Sequence, residues 1–308
     1  MSIQVEGIEH VPRRGPIIYV PNHSGWFTLD TLVGALAIAD HLGLDRLPWA
    51  AVVDQLLRTP KLGLFFERIG GFPASWLKTP EAMPPEIDAL CIYPEGPEGN
   101  CKSFLHAYQM RPWRTSFIHL AALRGAAIVP LAIIGAEESL PAISGLPFLR
   151  RYIGTILPLP LTPIPLPAKW KFVFHEPVYI SRSDLGPEGG DFEARRERAR
   201  ELALGIRARL QLTLDRETAD HKLVRFSKMI RRLANYGPPR LQRAIAPAPP
   251  LESASGPASS SSGSGPSSRR VRPPLFAFSR SASPMAAPEA SSSPSISPPP
   301  PSPLRQSR

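Results

Sequence analysis

Short strand-like runs alternate along this chain with runs that have the apolar spacing of helices, and this alternation limits the possible folds more than any other feature. The strand-like runs are apolar and rich in β-branched or aromatic residues, as buried strands usually are. Two intervening segments, residues 29–44 and 114–125, repeat apolar residues at helical spacing and end near glycine. The pattern predicts an α/β fold. The predicted strands are residues 17–20, 49–53, 89–93, 127–134 and 171–180.

The composition changes abruptly at about Pro238, after which Pro, Ser, Ala and Gly predominate. Such a segment has too little apolar surface to offset the entropy lost on ordering, so residues 239–308 are predicted to be a disordered tail. Residues 1–238 are predicted to form a single domain. Inside that domain the stretch PLPLTPIPLP, residues 158–167, is predicted to be an extended connector, because proline lacks the amide hydrogen that a helix or a central strand needs.

The formal net charge of +10 is unevenly distributed. The tail carries eight arginines and two glutamates, which leaves a surplus of only +4 for residues 1–239. This mild bias does not favour nucleic acid as a partner. Cys91 and Cys101 occur without a Cys-x-x-Cys or Cys/His cluster, so we expect two reduced cysteines and no metal site.

The opening MSIQVEGIEH is polar and lacks the apolar core of a signal peptide, which predicts a cytoplasmic protein. The longest nearly uninterrupted apolar stretch, residues 126–136, is too short for a spanning helix. Any contact with a membrane is therefore expected at its surface.

A histidine and an aspartate follow the first buried strand in the stretch VPNHSGWFTLD. His23 lies just after the strand, where open α/β sheets place their ligand crevices, and Asp30 lies in the first turn of a predicted helix with Thr28 as a candidate N-cap. A carboxylate that holds one ring nitrogen of a histidine leaves the other nitrogen free to act as a general base. Gly25, two residues after His23, would allow a substrate to approach closely.

A second strand runs into the glycine-rich segment CIYPEGPEGNCKSF, which holds Glu95, Glu98 and Lys102. This is not a phosphate-binding loop of the Walker type, because Cys101 stands where a glycine should precede the lysine. No Gly-x-Ser-x-Gly occurs in the chain, which argues against a serine hydrolase.

The segments NHSGWFTLD, GLFFERIGGFPAS, YPEGPEGNCKSF and IVPLAIIGAEE resemble, in order and spacing, the four sequence blocks of the glycerolipid acyltransferase family. The resemblance covers about residues 6–215 and is closest to the branch whose first block begins Asn-His-Ser-Gly. It implies a single domain with a central mixed β-sheet flanked by helices. It also implies transfer of a fatty acyl group from acyl-CoA or acyl-ACP to a hydroxyl of a lysophospholipid or glycerol-phosphate-type acceptor, without a cofactor or metal.

The resemblance also assigns roles to individual residues. His23 matches the catalytic base and Asp30 its partner. Arg68 matches an arginine that contacts the acceptor phosphate, and Glu95 with Gly96 matches the Pro-Glu-Gly turn that binds the acceptor. Val129 and Pro130 match the fourth block, beside the acyl chain.

Two departures from the family pattern keep alternatives open. The usual spacing would place the partner of His23 at Thr28, two residues before Asp30, so a catalytically impaired lipid-binding protein is an alternative. The cation that often follows Pro-Glu-Gly is also missing. Lys102 is the nearest positive charge, so it is the candidate for binding the acceptor, and a neutral acceptor such as diacylglycerol is a second alternative.

Two C-terminal segments have the pattern of amphipathic helices. The first, residues 192–214, is predicted to pack on the sheet of the domain with its apolar face. The second, about residues 221–236, places Leu223, Phe226, Ile230 and Leu233 on one stripe beside five cations, a pattern that suits anionic headgroups. It predicts a protein peripheral to the cytoplasmic face of a membrane.

Overall fold

The computed structural model describes residues 2–24, 29–79, 83–153, 155–187 and 189–236. The predicted tail, 239–308, and the boundary at residue 238 lie outside the described residues, as do Gly25 and Thr28. The tail and its boundary therefore stay predictions.

A seven-stranded mixed sheet forms the centre of the described part, as predicted. Its strand order is β1-β9-β6-β2-β5-β3-β4. The five strands from β6 to β4 are mutually parallel, β9 pairs antiparallel with β6, and β1 pairs parallel with β9. The strands are β1 (Ser2–Glu6), β2 (Ile17–Pro21), β3 (Trp49–Val52), β4 (Gly71–Pro73), β5 (Ala89–Cys91), β6 (Ala127–Ile134) and β9 (Lys169–Phe174).

The predicted strand over residues 171–180 ends at Phe174, because Pro177 interrupts the run and only a single bridge from Val178 to Ile128 continues it. The proline-rich stretch is extended, but it is not only a connector. Residues Leu157–Pro160 form β8, which pairs antiparallel with β7 (Ala142–Leu146) in a separate two-stranded sheet. Proline is tolerated there because each strand of a two-stranded sheet is an edge strand.

Helices cover both faces of the central sheet, and successive side chains of β2 point alternately to one helical layer and to the other. Ile17 and Tyr19 belong to a core cluster that includes Val33 of the first helix, whereas Ile18 and Val20 belong to a cluster on the other face. That second cluster takes in buried residues of α5 and α8. The helices of the described part are α1 (Leu29–Leu42), α2 (Asp54–Arg58), α3 (Leu62–Arg68), α4 (Pro97–Asn100), α5 (Ser116–Arg124), α6 (Ala136–Ser139), α7 (Arg150–Ile153), α8 (Phe192–Glu217) and α9 (Lys222–Asn235).

The two C-terminal helices differ in how they are buried. α8 buries Ala199, Ala203, Ile206 and Leu210 against the domain, which confirms the predicted packing. α9 buries Val224, Ser227 and Ala234 but leaves Phe226 and Leu233 exposed. None of the described helices is both long and apolar enough to cross a bilayer.

Candidate active site

The candidate site lies at the carboxyl edge of the parallel strands, where the chain leaves β2, β5 and β6. Asn22 fixes the exit from β2: its side-chain amide donates to the carbonyl of Ile133 over 3.0 Å, and its side-chain oxygen accepts from the amide of Ile133 over 2.7 Å. These two bonds extend the pairing of β2 and β6 by one residue. The side chain of His23 is therefore presented from a rigid strand end.

His23 and Asp30 are in direct contact despite the lengthened segment between them. The imidazole Nδ1 lies 2.9 Å from the Asp30 carboxylate Oδ2, and Asp30 is fully buried while the His23 side chain is 12% exposed. The same Oδ2 accepts from the backbone amide of Ser24 over 3.0 Å, and Oδ1 accepts from the amide of Thr31 over 2.8 Å. These donors, in and just before the first turn of α1, stabilise the carboxylate.

The contact with Asp30 determines what the imidazole can do. A carboxylate accepts a hydrogen bond, so Nδ1 carries the proton in the neutral ring and Nε2 has a free lone pair. The ring of Tyr93 lies 4.1 Å from the ring of His23 and supports it on one side. Burial, and then the charge of Asp30, raises the pKa of Tyr93 well above its ordinary value, so its hydroxyl stays protonated; it accepts from the Thr31 hydroxyl over 2.8 Å.

Glu95 joins the Pro-Glu-Gly turn to the histidine through the backbone. One carboxylate oxygen accepts from the His23 amide over 2.8 Å, and the other accepts from the Arg111 amide over 2.7 Å. The carboxylate is thus held on both sides and is buried. In this structure Glu95 orients the backbone of the candidate base.

Lys102 is buried between two carboxylates. Its Nζ lies 3.4 Å from Glu95 and 3.3 Å from Glu137, and its side chain is 2% exposed. Burial disfavours the charged ammonium, but the two carboxylates outweigh this effect and raise the pKa of Lys102. The lysine is therefore a buried cation whose charge is already balanced by two acids.

Two glycines of this loop are needed for the close packing. Gly96 has a φ of +64°, a conformation that L side chains rarely adopt. A Cβ on Gly99 would lie 2.5 Å from the Cβ of Glu95 and 3.0 Å from that of His23. The backbone of α4 therefore lies directly against Glu95 and His23.

A small pocket opens beside this cluster, lined by residues that include Ser24, Asn100, Lys102, Phe104 and Glu137. Two polar atoms of its lining, Ser24 Oγ and Asn100 Oδ1, are buried and make no hydrogen bond to any described residue. Each buried polar group left without a hydrogen bond costs roughly 1–3 kcal/mol, so a ligand that satisfies them would gain free energy. The pocket has a volume of only about 10 Å³, so its lining suits a single hydroxyl or carbonyl group of a ligand.

The structure brings His23, Asp30, Glu95, Gly96 and Lys102 together, whereas Arg68 belongs to α3, which carries none of these residues. Arg68 ends α3, three residues before β4 begins, and is exposed. Gly71, the first residue of β4, is level with Ala50 of β3, and Ala50 is level with Cys91, the last residue of β5. The role of Arg68 at an acceptor phosphate stays a prediction.

The fourth sequence block contributes one further residue to the site. Val129 and Pro130 are buried inside β6 and do not line this pocket, so their place beside the acyl chain stays a prediction. Glu137, three residues after β6, reaches Lys102. The sequence pattern did not single out Glu137, although its position after a parallel strand matches that of Glu95 after β5. Within the described ranges, no group of three or more His, Cys, Asp or Glu side chains could hold a metal ion.

The comparison with protein families matches residues 2–134 to the family described as Acyltransferase. The match extends from β1 to the end of β6. The matched segment contains the site residues His23, Asp30, Glu95, Gly96 and Lys102. Glu137 follows the segment by three positions.

Curated relatives occur in mycobacteria and are described as uncharacterized proteins. One from Mycobacterium leprae (strain TN) is 30% identical over 190 residues, covering 58% of this chain and 51% of the relative. Another from Mycobacterium tuberculosis (strain ATCC 25618 / H37Rv) is 30% identical over 188 residues, covering 57% of this chain and 52% of the relative. The chain thus spans about half the length of the curated relatives it matches.

Among solved structures, the chain is similar to the 1-acyl-sn-glycerophosphate (LPA) acyltransferase PlsC from Thermotoga maritima. The TM-score is 0.42 and the identity 17%, over 71% of this chain and 73% of that chain.

Proposed function

We propose that this protein is an O-acyltransferase that moves a fatty acyl group from an acyl thioester, acyl-CoA or acyl-ACP, to a hydroxyl of a lipid. The observation that carries the proposal is the 2.9 Å contact between His23 and the buried Asp30 inside a segment that matches the acyltransferase family. The same contact favours an active enzyme over an impaired lipid-binding protein, because the lengthened segment between the two residues does not separate them.

In the proposed reaction, His23 Nε2 removes the proton of the acceptor hydroxyl as the oxygen attacks the thioester carbonyl. Asp30 stabilises the imidazolium that forms. The tetrahedral intermediate then collapses, the carbon–sulfur bond breaks, and the imidazolium returns the proton to the thiolate. The acyl group passes directly from sulfur to oxygen, so no acyl-enzyme is required.

For the acceptor, the charges of the site favour an uncharged alcohol such as diacylglycerol or monoacylglycerol. The ammonium of Lys102 is already paired with Glu95 and Glu137, so a phosphate entering the pocket would meet two carboxylates. Arg114, beside Gly96, is likewise paired with Glu98 over 3.3 Å. The unpaired polar atoms of Ser24 and Asn100 suit hydroxyl and ester groups.

The phosphate-bearing acceptors implied by the family resemblance are the second candidate. They are favoured by one observation, the burial of a protonated Lys102 in the pocket lining, because a lysine is a common phosphate ligand. The two candidates differ in whether the acceptor carries a charge, and this difference can be tested directly.

The lipid acceptor is proposed to be reached at a membrane surface, with α9 as one contact. Phe226 and Leu233 of this helix are exposed, and so are Lys222, Arg225, Lys228 and Arg232. An apolar stripe flanked by cations suits an anionic lipid surface.

The activity is tested by incubating the full chain with a labelled acyl thioester and a panel of acceptors. The panel contains diacylglycerol, monoacylglycerol, glycerol 3-phosphate and lysophosphatidic acid, and acceptor-dependent thiol release is measured. We expect transfer to the neutral alcohols, its loss in His23→Ala, and its retention in His41→Ala, at the other end of α1. Equal turnover in wild type and His23→Ala would refute the mechanism, and faster use of the phosphate acceptors would refute the neutral acceptor.

A further inference from the structure

The segment between β6 and β9 presents several exposed large apolar side chains that lie close together in the chain. We refer to residues 140–153 and 155–167, which include β7, α7 and β8, as the apolar arm. Its exposed large apolar residues are Ile143, Phe148, Tyr152, Leu159, Leu161, Ile164 and Leu166. Phe148 is 64% exposed and Ile164 is 71% exposed. A contiguous segment of this kind marks an interaction site.

The backbone of the arm is suited to an apolar environment. Residues 158–167 contain five prolines, which have no amide hydrogen to leave unsatisfied. Two of the other amides are paired, since Leu161 donates to Pro141 and Leu166 donates to Ser139, both over 2.7 Å. Backbone amides that lose water in an apolar environment need another hydrogen-bond acceptor. Most residues of this stretch either are prolines, which have no amide hydrogen, or have a paired amide.

The arm is also joined to the candidate active site. Pro141 and Ala142 line the pocket beside His23, and the thiol of Cys101, next to Lys102, lies 3.5 Å from the carbonyl of Ile156. A surface that binds the arm would therefore lie at the mouth of the pocket that is proposed to hold the acceptor.

The charge of the arm indicates that it binds an anionic partner. No acidic residue occurs from Ser139 to His175, and the exposed Arg150 and Arg151 lie within the arm. Arg151 lies over the ring of Tyr152 at 5.3 Å, a pairing of cation and aromatic ring that suits the boundary between headgroups and acyl chains. The chain's own residues 239–308 carry a surplus of six positive charges and are not complementary to the arm.

We propose that the apolar arm docks the protein onto an anionic lipid surface and places the pocket against that surface. Phe148, Ile164 and their apolar neighbours enter the lipid boundary, and Arg150 and Arg151 contact the phosphates of the headgroups. The inference deepens the proposed function, because it states where the lipid acceptor enters, but docking itself does not depend on catalysis.

Docking is tested by flotation of the full chain with vesicles of phosphatidylcholine, with and without phosphatidylglycerol. We expect the wild type and His23→Ala to float equally with the anionic vesicles. The double variant Phe148→Ser/Ile164→Ser should lose at least tenfold in binding, whereas Leu212→Ser, which alters an equally exposed residue of α8, should not. Arg150→Glu/Arg151→Glu should weaken binding to the anionic vesicles and reduce its dependence on salt.

Unchanged flotation of the Phe148→Ser/Ile164→Ser variant would overturn the proposal. So would a wild type that is dimeric by light scattering and does not float, because the arm would then join two copies of the chain. If the double variant fails to fold, a polarity-sensitive dye on Ile164→Cys replaces it, with Leu212→Cys as control. The native Cys91 is buried and burial raises the pKa of the Cys101 thiol to about 12, so the introduced thiol is labelled preferentially. A dye at residue 164 that shows no blue shift with vesicles would also overturn the proposal.

A separate assay distinguishes failed docking from failed chemistry. A short-chain thioester and a water-soluble alcohol are offered without vesicles, and thiol release is measured. The arm variants should retain wild-type turnover there and lose it only with vesicle-bound acceptors. Loss of turnover on the soluble pair in the arm variants alone would contradict a purely docking role.

Discussion

Asp30 holds the candidate base from a fully buried position, and its carboxylate has four donors around it. They are the imidazole of His23, the amides of Ser24 and Thr31, and the more distant Thr31 hydroxyl. An amide in place of this carboxylate would keep the shape but reverse the hydrogen-bonding character of one atom. A substitution of Asp30 by asparagine therefore tests the chemistry of the site while leaving its geometry unchanged.

The variant Asp30→Asn should lower acceptor-dependent turnover by about 10²–10⁴-fold, because it removes the charge that stabilises the imidazolium and disturbs the tautomer of His23. KM should change little. Asp40→Asn, which alters an exposed acid on the same helix, should have no effect. Steady-state kinetics of the two variants check this, and an Asp30→Asn enzyme as fast as wild type would contradict the role of the carboxylate.

Gly99 tests how tightly the turn packs on the histidine. A methyl group there would lie 2.5 Å from the Cβ of Glu95, so the backbone must shift. We expect Gly99→Ala to lower turnover at least about tenfold and the free energy of unfolding by about 1–3 kcal/mol. Gly205→Ala is the matched control, since a Cβ at Gly205 in α8 meets nothing within 4 Å and should stabilise by about 0.5–1 kcal/mol. Urea unfolding and thiol release measure both.

At the scale of elements, the four-residue helix α6 joins the site to the C-terminal region. Its two adjacent glutamates point to different partners. Glu137 pairs with Lys102 in the pocket lining, whereas Glu138 pairs with His221 over 2.6 Å and accepts from the hydroxyl of Tyr108. The start of α9 is thereby tied to the carboxyl edge of β6, close to the candidate site.

Charge reversal on α9 tests its proposed contact with lipid. Arg225→Glu/Lys228→Glu should lower binding to anionic vesicles at least about tenfold, since each cation near such a surface contributes about 1 kcal/mol. The same change of net charge in α8, Arg196→Glu/Arg200→Glu, serves as control, because those cations are exposed and paired with acids of their own helix. Sedimentation with vesicles gives the measurement, and equal losses in both variants would indicate a general charge effect.

For the whole molecule, buried histidines make stability depend on pH. Burial, and then the charges of Arg111 and Arg231, lowers the pKa of His106 to about 4. Between about pH 4 and the unfolded value near 6.5 the unfolded chain binds more protons, so this contribution to stability is lost as the pH falls. His221 has the opposite sign, because the hydrogen bond to Glu138 raises its pKa and its contribution is lost as the pH rises through that value.

We therefore expect the free energy of unfolding to fall by about 2 kcal/mol from His106 alone between pH 6.5 and 4. His106→Gln should make the fall smaller by this amount, and His41→Gln should not. Urea unfolding at four pH values across this range measures the slope. An unchanged slope in His106→Gln would show that the histidine is not held neutral in the folded protein.

The sequence predicted much of the fold because the relevant signals are local. The apolar runs at residues 17–20, 49–53, 89–93 and 127–134 all correspond to strands, and the helices near residues 29–44 and 114–125 are present. The short strands β1, β4 and β7 were missed because they are exposed or only three residues long, so their apolar pattern is weak. β8 was missed because its prolines argue against a strand in a larger sheet.

The sequence by itself determined the α/β class, the residues His23 and Asp30, and the Pro-Glu-Gly turn, since each is a pattern within a few neighbouring positions. Only the tertiary structure decided that Glu137 shares Lys102 with Glu95 and that the apolar arm borders the pocket. These relations join residues far apart in the chain. They depend on strand order and direction, which short-range patterns do not encode.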